Sequence, residues 1–172
     1  MRRSSSAIVW LVIFAVLAVV AHYLQQPRRV PGEPVSGRAH VIDGDSLEIA
    51  GVRIRLHGID APEREQDCRD AGGNTYACGR ASMRALIAAI GGRSVTCRPI
   101  QVDQYNRDVA TCTADDDDLG EIMVRGGHAI DYARHSRGRY AAAEHEAREA
   151  RRGLWAGTFE APATWRQQNA KR

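Results

Sequence analysis

The sequence predicts an α+β fold that is mainly β, a small five-stranded barrel with three helices. Three observations favour it: short runs in which apolar and polar residues alternate, turns rich in Gly and Asp between them, and an amphipathic helix after the third run. The chain has 172 residues, with 24 Lys and Arg against 21 Asp and Glu, so its formal charge is +3. This length suits one domain with an appendage and excludes a multidomain enzyme. The small charge excess excludes a polybasic protein that coats nucleic acid.

The strands have the clearest signals. The five predicted strands lie in RAHVID, SLEIAG and VRIRLHG, all between residues 38 and 58, and near residues 94–102 and 107–113. In VRIRLHG, the apolar residues Val52, Ile54 and Leu56 alternate with polar ones, which is the period of a half-buried strand. Ala50-Gly51 forms the tight turn before this strand.

Three helices are predicted, at residues 79–90, 119–125 and 140–152. The first has a single apolar stripe, formed by Met83, Leu86, Ile87 and Ile90, and Gly91 ends it. Three strands, one helix, two strands and two further helices match the order of an OB-fold, which is a five-stranded Greek-key barrel.

The N-terminus has the features of a membrane signal. Residues 7–24 form a largely apolar stretch of 18 residues without a charge, which is near the lower limit for crossing a bilayer. Arg2 and Arg3 precede it and favour a cytoplasmic N-terminus. We therefore predict a signal-anchor or transmembrane helix in residues 1–26, with the remainder on the periplasmic or extracytoplasmic side. A cleaved signal peptide, which would secrete the domain, is the alternative.

A proline-rich linker is predicted next. Residues 27–36 contain three prolines and a glycine, and proline interrupts a helix. The folded domain is therefore expected to occupy residues 37–172. No internal repeat or other feature indicates a protein partner, so we expect a monomer.

The cysteines support export. All four follow the linker: Cys68, Cys78, Cys97 and Cys112. An even number of cysteines in an oxidising compartment indicates disulfides. We predict the pairs 68–78, which brackets a polar loop, and 97–112, which joins two strands connected by a turn. A zinc site is disfavoured because the chain has no C-x-x-C spacing.

Three turn segments concentrate polar residues: VIDGDS at 41–46, RLHGIDAPE at 55–63 and DQYNRDVA at 103–110. Asp45 and Asp60 are carboxylates on different loops that can converge at one end of a barrel. The carbonyl of Ala61, fixed by Pro62, would add a third oxygen. A hard cation such as Ca²⁺ prefers oxygen ligands of this kind.

The same segments supply groups that act on phosphate. Arg55 and Arg107 can hold a phosphate through paired N–H groups. Glu63 is a further carboxylate able to orient or deprotonate water. Each segment alone is an ordinary turn. Together, a cation, a base and two guanidinium groups are the parts needed to hydrolyse a phosphodiester.

These segments, with GLW at 153–155, resemble the thermonuclease family, the relatives of staphylococcal nuclease. The resemblance extends roughly over residues 37–165. It implies an OB-fold endonuclease that needs Ca²⁺, hydrolyses DNA and RNA, and leaves 3′-phosphate ends. Some positions depart from the family pattern. Ser46 replaces a usual Thr, Asn106 replaces a usual Gly, and Gln104 stands where a Lys can contact phosphate.

The resemblance also implies a role for each matching residue. Those that match the Ca²⁺ ligands of the family are Asp45, Asp60 and, through its carbonyl, Ala61. Those that match its catalytic residues are Arg55, Glu63 and Arg107. Those that match tyrosines in contact with the substrate are Tyr105 and Tyr132.

The sequence is also compatible with two other functions. A nucleic-acid-binding module of the same fold would lack catalysis, and a structural or interaction domain would bind no Ca²⁺. The endonuclease is favoured because all the matching carboxylates and arginines are present.

Overall fold

The computed structural model describes Trp10, residues 12–17 and residues 32–169. The chain divides into two compact units, residues 1–31 and 32–172. Residues 12–17 are helical. Most of the membrane segment predicted in residues 1–26 lies outside the described residues. Among the residues that are described, no helix has the length and apolar character needed to cross a membrane.

The five predicted strands are all present in the second unit. Its strands are β1 (Val35–Gly37), β2 (Ala39–Val41), β3 (Ser46–Ile49), β4 (Val52–Leu56), β5 (Ile59–Asp60), β6 (Cys68–Arg69), β7 (Thr75–Tyr76), β8 (Val95–Val102), β9 (Asp108–Ala114), β10 (Asp117–Asp118) and β11 (Ile130–Asp131). The predicted strands correspond to β2, β3, β4, β8 and β9. The main sheet has the order β1-β8-β9-β4-β3-β2, with β10 beside β9. It is a curled, OB-like sheet.

Two features of this sheet were not predicted. β4 and β9 run parallel, with Arg55 opposite Val109, whereas the other neighbours in the sheet are antiparallel. Strand β1 also includes two residues that the sequence places in the linker, and Val35 pairs with Cys97 on β8.

The prediction of three helices was wrong in number. Between residues 32 and 169 the helices are α1 (Cys78–Ile90), α2 (Leu119–Arg125), α3 (Ala133–Ser136), α4 (Ala141–Glu149) and α5 (Pro162–Asn169), with a 3₁₀ turn at Gly153–Ala156. The predicted helices correspond to α1, α2 and α4. α3 has only four residues, and α5 is mostly polar, so neither has the apolar stripe that reveals a helix in sequence.

The core lies between the sheet and α1 and α2. Leu47, Ile54, Leu86 and Met123 are fully buried in it. Ile54 and Leu56 of β4 point into the core, so the period of two directs Arg55 to the opposite face. The alternation that predicts the strand therefore also places a catalytic candidate on the outer face of the sheet.

Two disulfides join the predicted pairs. Cys97 and Cys112 lie directly opposite each other on β8 and β9 and are bonded. Cys68 is bonded to Cys78, the first residue of α1. This second disulfide holds the loop that follows Glu63 against the start of the helix.

Candidate active site

Two loops meet because glycine lets them approach closely. A Cβ atom on Gly44 would lie 2.7 Å from the Cβ of Ala61 and 2.0 Å from the Oγ of Ser82 on α1. Without a side chain at position 44, the turn packs against both neighbours. The backbone N–H of Ala61 then donates to Oδ2 of Asp45 over 3.3 Å. The two loops predicted to converge are therefore in direct contact.

Arg55 joins the two predicted metal-binding carboxylates. Its Nη2 donates to Oδ2 of Asp45 at 3.1 Å and to Oδ1 of Asp60 at 2.7 Å. Burial opposes the charge of this guanidinium, but Asp45 and Asp60 outweigh burial, so the pKa of Arg55 is raised. Both carboxylates are buried, and Asp60 is fully so. Because a single nitrogen contacts both, they converge on one point, as the sequence predicts.

A third carboxylate lies beside this pair. Burial, followed by the negative charge of Asp45, raises the pKa of Asp43 to about 6. Oδ1 of Asp43 also accepts the backbone N–H of Asp45 at 3.0 Å. The negative charge of Asp45 thus acts on Asp43, and a positive partner near these carboxylates would be stabilising.

The predicted metal-binding residues do not form a complete metal site by their side chains alone. Among residues 32–169, no three His, Cys, Asp or Glu side chains come together as a metal cage. Asp45 and Asp60 therefore fit a cation only with further oxygens, such as a backbone carbonyl, phosphate or water. The contact made by Ala61 is through its N–H, so the role of its carbonyl stays a prediction.

The backbone of Glu63 is held in place by Gln66 and by helix α1. Its N–H donates to Oε1 of Gln66 at 3.2 Å, and Nε2 of this fully buried glutamine donates to the carbonyl of Glu160 at 2.7 Å. A Cβ on Gly79 would lie 1.7 Å from the carbonyl oxygen of Glu63, so α1 packs directly on this loop. The half-buried side chain of Glu63 accepts a hydrogen bond from Arg166 at 2.7 Å.

Arg107 is oriented by Asp103, four residues earlier. Its Nε and Nη2 each lie 2.8 Å from Oδ2 of Asp103, while Oδ1 accepts the backbone N–H groups of Tyr105 and Arg107. Burial opposes the charge of Asp103, but these hydrogen bonds and the charge of Arg107 lower its pKa. Asn106 completes the turn with a φ of 58°, a conformation that Asn tolerates.

If Arg107 acts on the phosphate of a nucleic acid, as the sequence predicts, Asp103→Asn is expected to lower the kcat/KM for hydrolysis by about 10–100-fold, because misplacement of a catalytic group by about 1 Å can cost that much. The amide oxygen of Asn can still accept the two backbone N–H groups of the turn. Its N–H₂ group replaces the oxygen that accepts from Arg107, so the hydrogen bonds that orient the guanidinium are lost. Initial rates with a fluorescent oligonucleotide measure the change. Asp116→Asn, at an exposed aspartate in another turn, is the control. Equal rates for both variants would show that Asp103 does not position Arg107.

One groove joins five of the predicted residues. It has a volume of about 780 Å³ and is lined by, among others, Arg55, Glu63, Tyr105, Arg107, Tyr132, His135 and Arg166. The side chain of Tyr105 is 64% exposed, and its ring lies 5.4 Å from the guanidinium of Arg107. The ring of Tyr132 lies 4.8 Å from that of His135. Asp45 and Asp60 do not line the groove; both contact the lining residue Arg55, and Asp60 also contacts Arg166.

The sequence interpretation missed several residues of this site. Asp103 had a usable signal, because an Asp that begins a turn often accepts hydrogen bonds from the backbone two residues on. Arg166 had none, because helix α5 brings it to carboxylates about a hundred residues earlier. Gln66 had none either, because its side chain also binds the distant carbonyl of Glu160. Arg166 is 103 residues from Glu63.

The fold and this groove define a class: a small OB-like domain with a site of carboxylates and arginines suited to phosphodiesters. Comparison with known proteins gives the particular family. The family model for staphylococcal nuclease homologues matches residues 53–157. The chain belongs to this family, and the resemblance drawn from the sequence motifs is confirmed.

Individual relatives agree with this assignment. The chain is 39% identical over 140 residues to a Rhizobium meliloti protein named succinoglycan biosynthesis protein ExoI, covering 80% of this chain and 73% of the relative. It is 33% identical over 142 residues to an uncharacterized endonuclease of Escherichia coli O157:H7, covering 78% and 86%. It is 38% identical over 131 residues to the rice probable staphylococcal-like nuclease CAN3, covering 74% of this chain but 32% of that protein.

Proposed function

We propose that this protein is a Ca²⁺-dependent endonuclease that hydrolyses phosphodiester bonds of DNA, RNA or both and leaves 3′-phosphate ends. The observation that carries the proposal is the contact of Arg55 with both Asp45 and Asp60, in a groove that also contains Glu63 and Arg107. The two relatives named as nucleases support it.

Asp45 and Asp60, with the carbonyl of Ala61, would hold the cation. Bound Ca²⁺ supplies Lewis-acid polarisation of a phosphoryl oxygen. The remaining chemistry belongs to the protein. Arg55 and Arg107 donate hydrogen bonds to the phosphate and stabilise the charge that grows in the transition state.

Glu63 orients a water molecule and accepts its proton as the water oxygen bonds to phosphorus. The bond from phosphorus to the 5′ oxygen breaks, and that oxygen takes a proton from a solvent water molecule to become a hydroxyl. Arg107 stabilises this leaving oxygen by hydrogen bonding but does not deprotonate. Tyr105 and Tyr132 line the groove, where their rings can stack on bases.

Metal removal tests this function. We expect the purified full chain, kept in mild detergent, to digest plasmid DNA and single-stranded RNA in Ca²⁺. Excess EDTA should stop the digestion and added Ca²⁺ should restore it, because Asp45 and Asp60 need a cation to bind phosphate productively. Gel electrophoresis follows the digestion, and phosphatase treatment of the products identifies the 3′-phosphate.

The alternative is a non-catalytic nucleic-acid-binding module of the same fold. The relative named for succinoglycan biosynthesis, whose name states no nuclease activity, is the reason to retain it. Retarded migration of DNA without cleavage, in the presence of Ca²⁺, would favour this alternative. If the protein neither cleaves DNA nor retards its migration, both functions are contradicted.

We also propose that the domain works outside the cytoplasm. Its two disulfides support an oxidising compartment. Attachment to the membrane through residues 1–26 is the proposed arrangement, and secretion after cleavage is the alternative. The mass of the mature protein distinguishes the two, because cleavage removes this segment.

A further inference from the structure

The C-terminal segment is joined to the loop that carries Glu63. The backbones of Arg69 and Thr158 exchange two hydrogen bonds, of 2.9 and 3.0 Å. Buried Gln66 then links the backbone of Glu63 to the carbonyl of Glu160. The family match ends at residue 157, so this segment lies beyond the part of the chain that the family model describes.

Helix α5, at the end of this segment, places Arg166 on the site. Its Nη1 donates to Oδ1 of Asp60 at 2.9 Å and to Oε1 of Glu63 at 2.7 Å, and its Nη2 donates to Oδ2 of Asp60 at 3.2 Å. Although burial opposes its charge, the hydrogen bonds and charges of these carboxylates raise the pKa of Arg166. One guanidinium thus bridges the proposed metal ligand and the proposed base.

These contacts limit what else Asp60 can bind. An ionised carboxylate offers about four acceptor positions. Arg55 uses one position on Oδ1 of Asp60, and Arg166 uses one position on each oxygen. Asp60 has almost no exposed surface on which to add a ligand. The one remaining position is on Oδ2, which Nη2 of Arg166 already contacts. A cation on Asp60 therefore either binds at Oδ2 against the positive charge of Arg166 or displaces a guanidinium from the carboxylate.

We propose that Arg166 is a positioning residue of the metal site, which stabilises Asp60 and Glu63 when no cation is bound and weakens the binding of the cation. The C-terminal helix thereby sets the Ca²⁺ concentration at which the site fills. This inference rests on the proposed function, because it needs a divalent cation at Asp60.

Two measurements on the full chain test it, each on wild type, Arg166→Lys and Arg166→Ala. The first is the Kd for Ca²⁺ by isothermal titration calorimetry. Removing a unit charge near a divalent ion should tighten binding by about tenfold or more in Arg166→Ala. Arg166→Lys keeps the charge but loses the paired donors, so its Kd should lie between the other two.

The second measurement is the melting temperature in EDTA. It should fall by about 3–8 °C in Arg166→Ala and by less in Arg166→Lys, because Asp60 is left buried with one cation fewer. A merely structural contact would lower the melting temperature without tightening Ca²⁺ binding. The proposed role therefore predicts opposite orders: the melting temperature falls from wild type through Arg166→Lys to Arg166→Ala, while the affinity for Ca²⁺ rises in the same order. Arg98→Ala, at an exposed arginine on β8, is the control and should change neither quantity.

The outcomes separate the inference from the function on which it rests. If wild type binds Ca²⁺ and digests DNA but Arg166→Ala has an equal or weaker affinity for Ca²⁺, the role of Arg166 is overturned and the nuclease stands. If no protein in the series binds Ca²⁺, both proposals fail. Should Arg166→Ala not fold, a Kd of Arg166→Lys equal to that of wild type contradicts the role.

Discussion

Replacing Glu63 by glutamine is expected to lower the rate of nucleic-acid hydrolysis by about 10²–10⁴-fold, the usual contribution of a general base. The substitution keeps the shape of the side chain and an oxygen that can accept the hydrogen bond from Arg166. Its backbone contact with Gln66 is also unaffected. The fold should therefore persist, and the loss should appear in kcat, because a neutral amide cannot accept a proton from water.

Absorbance increase on digestion of denatured DNA in saturating Ca²⁺ gives the rate. Glu65→Gln is the matched control, since this glutamate lies two residues away and its side chain is 78% exposed. Equal melting temperatures would show that both variants fold. A Glu63→Gln rate within threefold of wild type would remove Glu63 from the role of base and leave metal and arginines as the catalytic groups.

The parts of the site that the sequence predicts are those encoded locally. Alternation along VRIRL fixes both the strand and the outward direction of Arg55. The Asp43-Gly44-Asp45 turn is visible because its residues favour turns, and its close packing on Ala61 needs the glycine that the sequence shows. Short-range rules therefore suffice to predict these residues as a group.

The missed parts depend on contacts between distant segments. The prolines near Val35 indicate a linker. In the structure, however, strand β1, which begins at Val35, pairs with the edge of β8 and extends the main sheet. Helix α5 contacts the site through the charge of Arg166 rather than through an apolar stripe. No local pattern reveals a polar helix of this kind, because its position is fixed by carboxylates about a hundred residues earlier.

The positions of the arginines explain why net charge was uninformative. The chain total is +3, yet Arg55 and Arg166 contact the buried carboxylates and Arg107 is paired with Asp103. Each guanidinium thus has a carboxylate that orients it. Such pairing leaves the sum near zero while it fixes the direction in which the donors point, and phosphate recognition depends on this direction.

Replacing Arg107 by alanine is expected to lower kcat/KM by about 10³-fold, because a preorganised donor to the developing charge is typically worth 10²–10³ and this one also carries charge. The turn should survive the substitution. Oδ1 of Asp103 still accepts the backbone N–H groups of Tyr105 and of residue 107, and strand pairing continues on both sides. Circular dichroism and the melting temperature check the fold, and oligonucleotide cleavage in saturating Ca²⁺ gives the rate.

A graded series separates the charge of Arg107 from its geometry. Arg107→Lys retains the charge but loses the planar pair of donors that Asp103 orients, so its rate should lie between those of wild type and Arg107→Ala. Arg98→Ala removes an exposed arginine from the same β8–β9 hairpin and should retain the wild-type rate. If Arg98→Ala and Arg107→Ala lost activity equally, the hairpin would act only through its general positive charge. A loss of cleavage rate that occurs only at position 107 and is larger for alanine than for lysine would show that the guanidinium itself is required. The turn that begins at Asp103 would then be what directs this guanidinium to the phosphate.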